Sequence, residues 1–240
     1  MGEPDEMDAE LAAMLAEHGV EVKKEGQVAA GVEGKGKKAA WPIAENRFME
    51  RRKGLTRSRE GQRQFIKPEN ALVVVRRLPE PGGTTHCILR GDFVLADLIP
   101  YLLGEGVRCP HLRIATLTMS VENAVLLGKL VTGGKVGRLT LVISHYFQQV
   151  NKSTIYQDIR EELEGKAEFV VMRSHAKVIV MERQHDGDAS GTGRDWLVIE
   201  GSANLRSSDN LEQMTIFNDK EVWDHHAGWI DHVVANPPPT

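Results

Sequence analysis

Residues 174–205 read SHAKVIVMERQHDGDASGTGRDWLVIEGSANL. Two β-rich runs, AKVIVMER and DWLVIEGSA, flank QHDGDASGTGR, which is dense in turn formers, so the stretch predicts a hairpin with a long tip. Successive strand side chains point to opposite faces, so His175 and Lys177 are expected to share one face. The same alternation groups Ser202 with Asn204, and Gly201 beside them allows a close backbone approach. A hairpin brings its ends together. These residues are therefore expected on one pocket wall although nearly the whole stretch separates them.

Working upstream, strand-like and helix-like segments alternate. ALVVVRR (71–77) is a β-branched run of strand length, and GDFVLADLIPYLLGEG (91–106) reads as a helix broken near Pro100. LRIATLTMS and RLTLVISHYF read as strands; VENAVLLGKLVTGG and NKSTIYQDIREELEG read as helices stopped by glycine. AEFVVMRS is a further strand before the quoted stretch, and LEQMTIFN and the closing helix KEVWDHHAGWIDHVVA follow it. The pattern predicts an α/β fold, a mixed β-sheet flanked by helices, with parallel strands early and hairpins later. The expected boundaries are an N-terminal extension at residues 1–67, a folded domain at 68–236 and a tail at 237–240.

The extension has its own composition. Residues 1–19 hold six acidic groups and no Lys or Arg, while residues 20–67 hold thirteen Lys or Arg against six Glu. Residues 5–18 read as a short helix, 25–40 as a Gly- and Lys-rich linker, and 41–67 as a charged, flexible arm. A net charge of +7 over residues 20–67 suits phosphate neutralisation, the sequence-independent part of nucleic-acid binding. No run approaches the roughly 18 apolar residues of a membrane span, and the first residues are acidic where a secretory leader would be basic and then apolar. The expectation is a soluble cytoplasmic protein without stable membrane association, and Cys87 and Cys109 are expected as reduced thiols.

HAKVIVME followed by GSAN resembles the HxKxxxxD and GSxN pattern of the phospholipase D superfamily, and the downstream NLEQ adds to the resemblance. It covers roughly residues 70 to 235 and implies a phospholipase D-like fold and a metal-independent phosphodiesterase needing no cofactor. His175 would be the nucleophile, forming a phosphohistidine. Lys177 and Asn204 would stabilise the non-bridging oxygens, Ser202 would fix the pocket, and Glu212 would orient the histidine. Gly201 and Glu182 would support the site. Two departures stand out: Glu182 replaces the family's Asp, and the interval from Glu182 to Gly201 is longer by about a dozen residues, an extension that costs little when it lies in a loop tip.

The pattern occurs once. None of the other eight histidines has a lysine two residues on, and GSxN is not repeated. The resemblance to single-motif members therefore implies a twofold homodimer that brings two copies of His175 together, acting as a nuclease on nucleic acid, DNA ahead of RNA. Two rivals are kept: a phospholipid headgroup hydrolase or phosphatidyltransferase, and an inactive nucleic-acid-binding or scaffold protein of the same fold. Asp224, His225, His226, Asp231 and His232 lie close in sequence, but an apolar stripe at helical spacing among them favours a solvated helix face over a metal site. His145 is expected as an ordinary strand-end residue.

Overall fold

The computed structural model describes residues 63–66, 70–90, 94–150, 154–187, 193–205 and 211–238. The helix expected at 5–18, the linker at 25–40, the arm up to residue 62 and the hairpin tip at 188–192 lie outside the described residues. The strands are β1 (Arg63–Ile66), β2 (Thr84–Arg90), β3 (Val107–Thr116), β4 (Val136–Ser144), β5 (Glu168–Met172), β6 (Val178–His185), β7 (Arg194–Gly201) and β8 (Leu211–Asn218). The helices are α1 (Ala71–Val75), α2 (Leu98–Leu102, entered through a 3-10 turn at Leu95–Asp97), α3 (Val121–Thr132), α4 (His145–Val150), α5 (Ile155–Glu162) and α6 (Lys220–Ala235).

Among the described residues eight strands form one mixed sheet in the order β1-β2-β8-β7-β6-β3-β4-β5. β3, β4 and β5 run parallel, as expected of the early segment. β6, β7 and β8 follow as an antiparallel meander, and β2 pairs antiparallel with β8. One edge strand, β1, is drawn from the expected arm and pairs parallel with β2.

Both faces of the central strands are buried, which is why they read as unbroken apolar runs. Ile114, Leu141, Ile179 and Ile199 enter one core with α2, α3 and α5, while their neighbours Ala115, Val142, Val180 and Val198 enter the other beneath α6. Burying one such aliphatic side chain contributes about 1.5–3 kcal/mol. Polar contacts also fasten α6: Arg113 donates from Nε and Nη2 to both Asp231 oxygens at 2.7 and 2.8 Å, and Trp223 meets Trp196 edge-on at 4.8 Å.

Two expectations are corrected, and one strand was missed. The run at 71–77 is not a strand: residues 71–75 form α1, because Asn70 caps it by accepting the Val73 N–H and because Ala71 and Val74, three apart, are the buried pair. Pro100 does not break its helix. It lies in the first turn of α2, where no intrahelical N–H is needed, and the helix itself is shorter than the expected segment. Finally, β2 is a strand the pattern did not suggest, since its buried positions are Thr85, Cys87 and Leu89, and a threonine and a cysteine carry weak apolar signal. Cys87 and Cys109 are free and buried, with burial pushing both thiols up to about 12. Among the described residues no helix is long and apolar enough to cross a membrane.

Candidate active site

The sheet register gathers the motif residues at one end. Ala115 pairs with Val178, Val178 with Glu200 and Glu200 with Thr215, so the C-terminal ends of β3, β4 and β7 meet the N-terminal ends of β6 and β8. Loops at such ends commonly build ligand sites in α/β sheets. Here they carry Thr116–Ser120, His145, Ser174–Lys177, Ser202–Leu205 and Glu212.

His175 and Lys177 precede β6. The imidazole is exposed, whereas Lys177 is buried to 9% accessibility. Lys177 Nζ lies 3.2 Å from Nδ1 and 3.4 Å from Nε2 of His175, so the expected neighbourhood of the two side chains is present. An ammonium only donates, so whichever ring nitrogen receives it must be unprotonated. The Lys177 carbonyl accepts the Gly201 N–H at 3.3 Å, which ties the two motif segments through the backbone.

Strand β7 ends at Gly201, so alternation does not govern Ser202 and Asn204; a bend does. Ser202 N–H donates to the Gln213 carbonyl, and its Oγ accepts the Gln213 N–H, both at 3.0 Å. The Ser202 hydroxyl then donates to Glu212. Ser202 and Glu212 are thus brought together as a bonded pair across β7 and β8. Gly201 is required for this approach, because a Cβ there would sit 2.1 Å from the Gln213 oxygen. Asn204 is half-buried, and its Oδ1 is buried without a hydrogen-bond partner.

Glu182 is set apart. It lies five residues beyond Lys177, about 16 Å along an extended chain, and the odd spacing turns it to the opposite face. There it accepts from Arg194 Nη1 at 2.9 Å and Gln184 Nε2 at 2.7 Å, supporting the hairpin instead of the histidine.

Sequence reasoning missed the β3–α3 turn. Thr118 is 5% exposed, and its Oγ1, like Asn204 Oδ1, is buried without a partner. Leaving one such group unmet costs about 1–3 kcal/mol. The signal that could have found it is the run TLTMS at a strand-to-helix turn, where hydroxyls aggregate at the end of a buried strand. The strand expected to run through residues 145–147 stops at Ser144, so His145, expected at a strand end, instead opens α4 at the same end of the sheet.

The acidic and histidine-rich helix disperses its groups. Asp231 is held by Arg113, and Lys220 donates to Asp224. His226 Nδ1 accepts the Trp229 indole N–H at 3.1 Å, while its Nε2 meets Glu200 at 3.3 Å. That hydrogen bond holds the Glu200 carboxyl below the usual range. Among the described residues no group of three His, Cys, Asp or Glu is arranged to hold a metal ion.

No family model matches the sequence, and no curated protein matches it. Solved structures do. A polyphosphate kinase from Porphyromonas gingivalis is 10% identical over 67% of this chain, with a TM-score of 0.46; the match spans 24% of that protein. NucT from Helicobacter pylori is 14% identical over 65% of this chain and 99% of its own, with a TM-score of 0.44. TrmBL2, an archaeal chromatin protein with a described mode of DNA binding, is 14% identical over 65% of this chain and 54% of its own, with a TM-score of 0.36. Likenesses at this level carry no argument about chemistry, which rests on the site.

Proposed function

We propose that this chain is a metal-independent phosphodiesterase of the phospholipase D type, acting on nucleic acid as a twofold homodimer. One observation carries the reading: the exposed His175 ring has Lys177 Nζ at 3.2 Å, and the Lys177 carbonyl holds Gly201, so the HxK and GSxN segments are neighbours. An unprotonated ring nitrogen of His175 attacks phosphorus, and the bond to the leaving oxygen breaks. The partner's His175 supplies the proton for that oxygen. Water then attacks the phosphohistidine, gives its proton to the same base and restores the free ring. Lys177 and the Asn204 amide stabilise charge on the non-bridging oxygens, which a nucleophile must otherwise approach through repulsion. Ser202 and Glu212 fix the pocket, with Glu212 the orienting carboxylate. Nucleic acid is favoured as substrate by the net charge of +7 over residues 20–67.

The test incubates the full chain and His175→Ala with labelled single- and double-stranded DNA, RNA and phospholipid vesicles, with and without EDTA. EDTA-resistant cleavage of nucleic acid, lost in the variant and carried by a dimer in sedimentation, supports the proposal. Cleavage that survives loss of His175, or that EDTA abolishes, overturns the mechanism. Vesicle hydrolysis alone moves the substrate to lipid, and binding without turnover identifies a scaffold.

A further inference from the structure

We infer that Thr118 is a substrate-contacting residue of the same site, its hydroxyl and the Asn204 carboxamide forming a two-donor seat for one non-bridging phosphoryl oxygen. The inference rests on the phosphodiesterase reading for its ligand class and on the β3–α3 turn for its geometry. Met119 and Leu205 form an isolated parallel bridge, and Thr118 and Asn204 are the residues just before them on the two bridged segments. Both present a buried polar atom with no hydrogen-bond partner, Oγ1 in one and Oδ1 in the other.

Their relative position is fixed from outside the pair. Leu205 N–H donates to Thr116 Oγ1 at 3.4 Å, and the Leu205 carbonyl accepts from Asn123 Nδ2 at 2.5 Å. Thr116 in turn donates to the Thr118 carbonyl at 2.8 Å. Asn123 is 7% exposed and Thr116 2%, so the clamp is a buried one. Both backbone groups of Leu205 are therefore engaged, and Asn204 enters the site on a rigid support. Unmet polar groups on so firm a support suit a ligand that arrives with the complementary atom.

The atom chemistry selects the ligand group. A hydroxyl donates as readily as it accepts, and a half-turn of the carboxamide exchanges Oδ1 for Nδ2, because no protein partner holds Oδ1. The seat then offers two N–H or O–H donors to one anionic oxygen, while the Lys177 ammonium serves the rest of the phosphoryl group. The segment that carries Thr118 also leads into the Ser120 cap of α3, whose Oγ accepts the Asn123 N–H at 3.3 Å, so the clamp and the helix start are one unit.

The test uses the full chain and Thr118→Val, which keeps shape and removes the hydroxyl, beside Thr118→Ser, which restores it. Inorganic phosphate is titrated calorimetrically, thermal unfolding is followed, and cleavage is measured where the chain cleaves. Thr118→Val is expected to weaken phosphate binding about tenfold and to lower kcat/KM by about 10- to 100-fold, with Thr118→Ser within about threefold of the parent. The melting temperature of Thr118→Val should hold or rise, because an unmet polar group is gone; a purely structural hydroxyl would lower it and leave phosphate binding alone. Thr118→Ala, which only removes atoms, gives the same comparison should valine fold poorly. Unchanged phosphate binding and cleavage in both variants, as a seat for ordered water alone would give, overturns the seat while leaving the enzyme reading standing. Weakened phosphate binding in a chain that cleaves nothing supports the seat and removes the enzyme reading. Failure of the parent chain to bind phosphate overturns the seat.

Discussion

Replacing Gly201 by alanine tests the joint on which the site depends, and the cost can be worked from distances. The added Cβ would lie 2.1 Å from the Gln213 carbonyl oxygen, 2.8 Å from Met214 Cα and 3.0 Å from the Gln213 carbonyl carbon. A carbon needs about 3.3 Å from such an oxygen, so β8 must retreat by roughly 1 Å. The obstacle is backbone, which no side-chain rotation relieves, and Gly201 is not among the positive-φ glycines, so space is the constraint. A retreat of that size stretches the two 3.0 Å bonds between Ser202 and Gln213 beyond hydrogen-bonding range. Two lost hydrogen bonds at about 1 kcal/mol each and overpacking strain of about 1–3 kcal/mol give a total of about 3–5 kcal/mol. In a domain of this size that corresponds to a fall in Tm of roughly 10 °C. Urea unfolding with fluorescence detection measures it, with Gly104→Ala as control, where the new Cβ meets nothing nearer than 3.5 Å. A Gly201→Ala protein within about 0.5 kcal/mol of the parent, a surface-substitution effect, would refute the argument.

Two further perturbations probe the frame around the site. Asp195 accepts from Arg183 Nη1 at 2.5 Å and Asn218 Nδ2 at 3.0 Å, in a pair whose side chains are only 11% and 25% exposed on Arg183 and Asp195. Asp195→Ala strands the guanidinium and should cost about 2–4 kcal/mol by urea titration, whereas adding Arg183→Met should recover part of the loss; a double variant worse than the single would contradict this. His111, whose Nε2 lies 2.8 Å from the Thr140 hydroxyl, is pushed down to about 4 by burial first and then by Arg113 and Arg138. The unfolded chain therefore binds a proton that the fold refuses, so stability should fall as pH drops from about 6.5 to 4, by at most about 3 kcal/mol from this group. Measured across that window, His111→Gln should flatten the dependence, and parallel curves for the two proteins would exclude the residue as its source.

How far the sequence could be read depended on the range of the interactions that decide each feature. Buried strands such as β4 and the first half of β6 declare themselves as apolar runs, and α6 was legible from end to end because a helix stripe is local. The two halves of the motif were legible for the same reason, and the β6–β7 hairpin brings the segments that flank it to one end of the sheet although His175, Lys177, Ser202 and Asn204 lie just off the strands. The run Ala71–Val75 misled because β-branched residues favour strands only weakly, and one cap with one buried pair outweighed that preference.

The sequence by itself determined the α/β class and the central strands, carried by local pattern, and it set His175 and Lys177 close enough for their side chains to meet. Tertiary structure alone decided that Glu182 serves the hairpin, that Ser202 bonds Glu212, and that Met119 bridges Leu205. Those outcomes depend on which strand ends meet, with Met119 and Leu205 brought together by a single bridge between distant segments. No periodicity encodes such a contact, because it is set by the sum of core packing across both faces of the sheet.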